Sequence, residues 1–396
     1  MKIFFRSIHL YLSLAAGLVI MVTCATGAIL VFERELQEFF HPSRYYVDKT
    51  GDRVSLDSMV ASLQSKVKGA KLNGIKYYTD STRSVELNYA ARKPKSDVKK
   101  KTGEGDRLIA YLNPYTGQVI ELYNHKESFF YSVMDLHRWM LSGETGKLIV
   151  GSATFIFLFI LITGLILWWP KSRAILKQRI KLKIDGGWKR LNHDFHIVFG
   201  FYSFIFLFIF AFTGLAWSFE WFNKAIYTVT GSSMQPARPP VVKHEKALAT
   251  AAWPFVAAEG GTNASASANL PYNDILQIAL EQWPAVRFYN ISSPKDSSSP
   301  YSVSVLPLDA IHESATDMYY VHPATGAVMG NTKWSERNTG QRVRATFKPV
   351  HVASIYGMPS KIVGLIVCLF GASFPITGTV MWVNRLRKKP KPRSLV

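Results

Sequence analysis

Four of the ten histidines in the 396-residue chain stand at spacings that repeat. His9 precedes Gly27 by 18 residues, as His196 precedes Gly214; His137 precedes Gly164 by 27, as His351 precedes Gly378. Each glycine is the second member of a Thr-Gly pair: Thr26-Gly27, Thr163-Gly164, Thr213-Gly214 and Thr377-Gly378. Imidazole is the commonest side-chain metal ligand, and zinc draws three or four donors from one cluster. Here the matching yields only twos, His9 with His196 and His137 with His351. Two facing imidazoles inside a helical bundle are a ligand set for haem iron, so the spacing predicts two haem b sites. The remaining candidates sit beside these. His193 lies three residues before His196, and Arg190-x-x-His193 copies Arg6-x-x-His9. Glycine spacing therefore favours His196 and arginine spacing favours His193, which leaves His193 as a neighbouring or alternate ligand. Arg6, Arg138 and Arg190 are candidates to pair with haem propionates, against the reading of ordinary interfacial charge. His41, His125, His244, His312 and His322 have no repeat partner and read as residues of solvated loops or turns.

The elements that must position these residues are membrane spans. Four windows of 22 or 23 residues hold no Asp, Glu, Lys or Arg: Leu10 to Phe32, Leu148 to Trp169, Ile197 to Phe219 and Ile362 to Val383. About 20 apolar residues suffice to cross a bilayer. The formal net charge is +20, with 47 Lys+Arg against 27 Asp+Glu. Sixteen of the basic residues precede the first window, fill the loop from Lys171 to Arg190 or follow the last window, against only Asp185 and Asp194. The positive-inside rule then makes both termini and that loop cytoplasmic, and the location of the charge argues against a nucleic-acid partner. Anionic lipid is the partner this charge implies. The first window is too long for the apolar region of a signal peptide, and Cys24 lacks the small residue a lipoprotein cleavage site needs before it. Cys24 and Cys368 form no C-x-x-C, which excludes a disulfide framework, a zinc ribbon and a covalently attached c-type haem. A helix running unbroken from His137 to Gly164 would be about 40 Å long, so breaks are expected at Gly143 and Gly146, and in the second copy at Gly357 and Pro359.

The long segments between spans repeat as well. Pro114-Tyr-Thr116-Gly117-Gln-Val119 recurs as Pro323-Ala-Thr325-Gly326-Ala-Val328. The predicted fold is an α-helical membrane protein of four transmembrane helices in two parallel repeats, each with an inserted periplasmic α+β domain. The expected boundaries are 1–32 for the N-terminus and first helix, 33–126 for the first inserted domain and 127–169 for an interfacial segment with the second helix. They continue with 170–196 for the basic loop, 197–219 for the third helix, 220–345 for the second inserted domain, 346–383 for an interfacial segment with the fourth helix, and 384–396 for the basic tail. Each inserted domain reads as its own module, an amphipathic helix (Ser55 to Val67; Tyr272 to Trp283), three alternating strands, and a last strand returned by the Thr-Gly turn. The Ala/Ser-rich stretch from Ala247 to Leu270 reads as a linker, and Trp139, Trp168, Trp169, Trp217 and Trp382 as an interfacial belt.

Arg6-Ser-Ile-His9, Leu136-His137-Arg138-Trp139, His193-Asp-Phe-His196, the recurring Thr-Gly and the two Pro-x-Thr-Gly-x-Val hairpins, in this order over nearly the whole chain, resemble the PepSY-associated transmembrane helix family. That family includes di-haem inner-membrane ferric-siderophore reductases of the FoxB and PiuB type. The resemblance implies two haem b held between the four helices, electrons entering from the cytoplasm, and reduction of a ferric siderophore in the periplasm. One departure is that His351 stands in Val350-His351-Val352-Ala353 where the first copy has Leu136-His137-Arg138-Trp139. The chain has no glycine-rich nucleotide motif, so a separate cytoplasmic donor or quinol must supply electrons. The competing expectation is a non-redox membrane protein that binds or regulates a periplasmic partner.

Overall fold

The structure, a computed structural model, describes residues 1–91, 107–234, 240, 269–296 and 298–387. The expected linker up to residue 268, His244 and the basic tail from Lys388 lie outside the described residues. In chain order the helices are α1 (Lys2–Leu30), α2 (Glu33–Phe40), α3 (Pro42–Tyr45), α4 (Leu56–Lys66), α5 (Phe129–Trp139), α6 (Gly143–Trp168), α7 (Arg173–Arg179), α8 (Gly187–Ser218), α9 (Glu220–Val229), α10 (Tyr272–Gln282), α11 (Thr339–His351) and α12 (Met358–Leu386). The strands are β1 (Lys71–Tyr78), β2 (Val85–Ala90), β3 (Leu108–Leu112), β4 (Val119–Asn124), β5 (Val286–Ser292), β6 (Tyr301–Pro307), β7 (Asp317–Val321) and β8 (Val328–Thr332). The chain forms two compact units. One gathers Met1–Glu33, Phe129–Ala225 and Phe347–Val396; the other gathers Arg34–Ser128 and Ile226–Thr346.

In the helical unit, α1, α6, α8 and α12 are each long and apolar enough to cross a membrane. All four begin earlier than the apolar windows suggest, α1 and α8 by the most. Because α1 starts at Lys2 and α8 at Gly187, His9, His193 and His196 lie within helices rather than at their openings. The four close a ring in which α1 and α8 each pack on both α6 and α12. Missing side chains set the closest approach of α1 to α12. A Cβ on Gly371 would sit 2.8 Å from Cys24 Sγ, one on Gly17 3.3 Å from Pro375 Cβ, and one on Gly27 3.7 Å from Cys368 Sγ. The cysteines, far apart in sequence, thus belong to one antiparallel contact.

Helix breaks fall close to the expected places. Between α5 and α6 the chain turns through Met140, Leu141 and Gly143, all with positive φ. Between α11 and α12 it turns through Ala353 and Gly357, and Pro359 opens α12. Gly146, however, does not break the helix. It lies inside α6 because a Cβ there would strike the Trp139 carbonyl oxygen that ends α5. At the corresponding place after α11, Ser360 Oγ donates to the Ala353 carbonyl at 2.7 Å, so one copy makes room for that carbonyl and the other bonds it.

The second unit corrects the expectation of two separate modules. All eight strands form one antiparallel sheet in the order β4-β3-β2-β1-β5-β6-β7-β8. The two halves join where β1 pairs with β5, from Gly74 opposite Ser292 to Tyr78 opposite Phe288. One core runs through both halves, with Leu56, Met59 and Leu63 of α4 and Ile275, Ile278 and Ala279 of α10 buried together with Ile75, Leu87, Tyr289, Ile291 and Val303 of the strands. Joining the halves covers two sheet edges that separate modules would leave unpaired. The helices are also tied at their ends. α10 opens at Pro271, which has no capping side chain, and Asp57 of α4 accepts instead from the backbone N–H groups of Tyr272 and Asn273, both at 3.0 Å. An acidic acceptor at a helix N-terminus satisfies its free donors and suits its dipole. Replacing Asp57 by Ala in the full chain should therefore destabilise the sheet unit by about 1–2 kcal/mol and speed amide exchange at Tyr272 and Asn273. Unchanged exchange at both amides would show that the cap does not join the halves.

Candidate functional site

Each of the four repeat-matched imidazoles rests on a Thr-Gly pair of a neighbouring helix. His9 of α1 leans on α6, its Nδ1 3.0 Å from the Ile160 carbonyl oxygen and 3.1 Å from Thr163 Oγ1. His137 of α5 leans on α1, with Nδ1 3.0 Å from both the Thr23 carbonyl oxygen and Thr26 Oγ1. His351 of α11 leans on α8 in the same way, 3.0 Å from the Phe210 carbonyl oxygen and 3.1 Å from Thr213 Oγ1. His196 of α8 leans on α12, 2.8 Å from Thr377 Oγ1. The glycine that follows each threonine makes the approach possible. A Cβ on Gly164, Gly27, Gly214 or Gly378 would come within 3.2, 3.3, 3.2 or 3.4 Å of Cε1 of the ring lying on it. The Thr-Gly pairs, read from sequence as markers of span ends, are seats for imidazoles. The spacings of 18 and 27 separate a segment's own histidine from the seat it offers to another.

The seats decide which ring nitrogen carries the proton. A carbonyl oxygen only accepts. Each threonine hydroxyl already directs its single proton to its own helix, to Phe159, Val22, Ile209 and Ser373 carbonyls for Thr163, Thr26, Thr213 and Thr377 respectively, so it too accepts from the ring. In His9, His137 and His351, where a carbonyl oxygen also faces the ring, Nδ1 is therefore the protonated nitrogen and Nε2 keeps the lone pair that can ligate a metal; in His196 the Thr377 hydroxyl, bonded back to its own helix, favours the same arrangement.

The four rings fall into two pairs. His137 and His351 face each other with centroids 6.3 Å apart and planes at 63°. Two metal–nitrogen bonds of about 2 Å, with roughly 1.1 Å more from nitrogen to ring centre on each side, span about 6 Å, which matches the separation of these rings. His9 and His196 line a cavity of about 540 Å³ whose walls come from α1, α6, α8 and α12. Its volume lies in the range of cofactor sites, and its wall is largely apolar, with Leu10, Ile20, Phe157, Phe204 and Phe374 among the lining residues. Among the described residues no three His, Cys, Asp or Glu side chains converge, so the donor set suits iron held in a macrocycle better than tetrahedral zinc.

The accessory residues sort differently from their sequence spacing. His193 lines the same cavity, but its half-exposed ring is tied through Nδ1 to Asp194 Oδ1 at 3.1 Å rather than seated on a Thr-Gly pair. The buried Asp194 also takes Arg190 Nε on Oδ2 at 2.7 Å, so the Arg190-x-x-His193 spacing reflects a shared carboxylate, and Arg190 is not among the cavity-lining residues. Arg6 does line the cavity, and Arg138 lies over the Trp139 ring at 4.3 Å. Asp194, Arg385, Trp168 and Asn192, whose Nδ2 donates to the Thr377 carbonyl at 3.1 Å, are site residues that spacing alone did not single out. Arg385 and Trp168 carried a signal in their distance from the Thr-Gly glycines, but the belt reading absorbed Trp168. Trp168 is in fact buried, stacked flat on Phe201 with centroids 3.7 Å apart. His312, expected on a solvated loop, is buried against Trp334 with its Nδ1 accepting from the Ser314 N–H. His322 does have a counterpart. Its Nδ1 accepts from the Ala324 and Thr325 N–H groups as Asn113 Oδ1 accepts from those of Tyr115 and Thr116, and both cap the Thr-Gly hairpin.

Fold and site define a membrane protein in which four bundled apolar helices seat paired histidines, two carried by α1 and α8 and two by the short helices α5 and α11, and a second unit carries an antiparallel sheet. The chain belongs to the PepSY-associated TM region family, whose model matches residues 6–385. Among curated proteins no match was found.

In protein purified free of metal, ¹⁵N spectra of labelled imidazoles should show His9, His137, His196 and His351 protonated on Nδ1. A population protonated on Nε2 at any of them would contradict its seat.

Proposed function

We propose that this chain is a di-haem b electron conduit of a bacterial cytoplasmic membrane, acting as a ferric-siderophore reductase that frees Fe(II) in the periplasm. In this reading the fold is two parallel repeats of span, periplasmic PepSY-like insertion and span, with both termini and the Lys171 to Arg190 loop in the cytoplasm. The observation that carries it is one arrangement made four times, an imidazole with Nδ1 bonded into a neighbouring helix, its ring on a glycine and Nε2 left to ligate.

His9 and His196 would hold one haem and His137 and His351 the other, with Arg6 and Arg138 on hand for propionates. Bound haem supplies reversible one-electron Fe(III)/Fe(II) chemistry. The chain's own contribution is position and environment. The Nδ1–H bonds orient the rings and make Nε2 a stronger donor. His9 and the Gly27 seat lie 18 residues apart on α1, about 27 Å along a helix, so the two pairs stand near opposite faces of a hydrocarbon layer of about 30 Å. The apolar cavity wall keeps water from the inner pair. Outside, Fe(II) is softer and carries less charge than Fe(III), so a hard-oxygen chelator loses its hold once the metal is reduced. Donor docking belongs to the cytoplasmic face, where the basic loop favours an acidic redox protein, with quinol as the membrane-borne alternative.

The purified full-length chain should carry two haems with a Soret band and sharp bands on reduction. His137→Ala or His351→Ala should each remove about one haem and spare the other, His9→Ala or His196→Ala should do the converse, and His193→Ala should retain both. A colourless, folded preparation would refute the conduit, and loss of both haems from any single change in a folded protein would refute two independent pairs. In proteoliposomes with the basic loop inward, an enclosed reductant should reduce an external ferric hydroxamate.

A further inference from the structure

Among the residues lining the cavity with His9 and His196 is a polar group that no described residue satisfies. Trp168 Nε1 is buried and has no hydrogen-bond partner among the described residues, although Trp168 lines the cavity. An indole N–H can only donate, and leaving a buried donor unpaired is costly, so such a group calls for an explanation. The indole is also held firmly. Its ring is stacked on Phe201 at an interplanar angle of 4°, and the end of its helix is fixed by Arg179, whose Nη1 donates to the Leu167 and Trp168 carbonyls.

Its neighbours along the cavity share one sign of charge. His9 rests on Gly164 and His196 on Gly378, so each histidine lies beside the glycine of its own seat. Arg6 lies three residues before His9, Trp168 four after Gly164 and Arg385 seven after Gly378. Each is thus about 4.5–10 Å along its own helix from a seated histidine or its glycine, within reach of long side chains. Arg6 and Arg385 line the cavity, and among the described residues no Asp or Glu does. The one acidic group close by in the chain, Asp194, is bonded to Arg190 and His193. Two guanidinium groups and a fixed N–H thus line one largely apolar cavity, with no anion among its described lining residues to answer them.

We propose that Trp168 Nε1–H, Arg6 and Arg385 form a receptor for the carboxylates of the cavity's occupant, with Trp168 as the orienting donor and the two arginines as charge-assisted partners. The proposal rests on the haem reading, in which those carboxylates are the propionates of the macrocycle held by His9 and His196. It replaces Arg190 by Arg385 in that role and takes Trp168 out of the interfacial belt. The same donors would also suit the phosphate of an anionic lipid, and the test separates the two.

The test uses the full-length protein in detergent, stripped and then titrated with haem b or with its dimethyl ester, which has no free carboxylates. Trp168→Phe removes the N–H and keeps a ring to stack on Phe201. Wild type should bind haem b at the His9–His196 site about tenfold more tightly than the diester, and Trp168→Phe and Arg385→Gln should each lose most of that preference while keeping full occupancy at the other site. The midpoint potential of the affected haem should move in the same variants. Retention of the outer haem certifies the fold of each variant, and Arg385→Gln tests the clamp even if Trp168→Phe fails to fold. Equal preference in wild type and both variants would overturn the clamp while leaving the haem reading intact. Bound phospholipid phosphorus that falls in Trp168→Phe with haem preference unchanged would assign the N–H to lipid and also overturn it. A wild type that takes up no haem at all would overturn the reading beneath it, and the clamp with it.

Discussion

An imidazole placed among apolar helices has two nitrogens to account for, and in a water-free interior neither can be left to solvent. Helix carbonyls are already engaged within the helix, yet each has a second lone pair. A threonine whose hydroxyl bonds back to its own helix presents its oxygen outward beside such a carbonyl, and a following glycine removes the Cβ that would hold a ring away. Thr-Gly therefore makes a small acceptor surface on an apolar helix. Every seated histidine uses it, and in His9, His137 and His351 the ring engages both carbonyl and hydroxyl. With Nδ1 committed in this way, Nε2 is the nitrogen left for a ligand, and the bundle's packing follows from the need to bring each ring to its seat.

That need explains the two broken helices. His137 and His351 must reach seats on α1 and α8, while α6 and α12 continue as long apolar helices in the same bundle. Short separate helices, α5 and α11, allow both. The turns between them require non-glycine residues at positive φ, Met140 and Leu141 in one copy and Ala353 in the other, a conformation that persists only where surroundings hold it. The Trp139 carbonyl that ends α5 is accommodated by Gly146, whereas the Ala353 carbonyl, two residues past α11, is bonded by Ser360. The two copies therefore reach one geometry by different chemistry.

The sheet unit follows the same logic of shared completion. Two segments far apart in the chain each supply one helix and four strands, and neither half keeps its inner edge free because β1 and β5 pair. Asp57 supplies the cap that Pro271 cannot, so the helix of one half is completed by a residue of the other. Buried Leu56, Ile75, Ile275 and Tyr289 belong to a single core, which makes the eight strands one folding unit rather than two copies side by side.

Much of this was legible in the sequence because it depends on local regularities. Apolar windows announce helices that must satisfy their own backbone in lipid, alternation announces the strands that follow each amphipathic helix, and equal histidine–glycine spacings match the segments in pairs. The family could be read from the same short motifs in order. What the sequence left open depends on groups that meet only after folding. Spacing along one segment could not say that the glycine counted from His9 is the seat of His137, or that His9 itself rests on Gly164, because each contact lies between helices. Nor could it choose between His193 and His196, since the two share a helical face and only the position of Thr377 on α12 and the pairing of His193 with Asp194 separate them. The fusion of the two sheets, the meeting of Cys24 with α12 and the buried, unanswered N–H of Trp168 are likewise tertiary facts. A residue's own sequence neighbourhood determines whether it can belong to a helix, a strand or a seat, whereas its partner is determined by which surfaces pack, and that is decided by the whole chain.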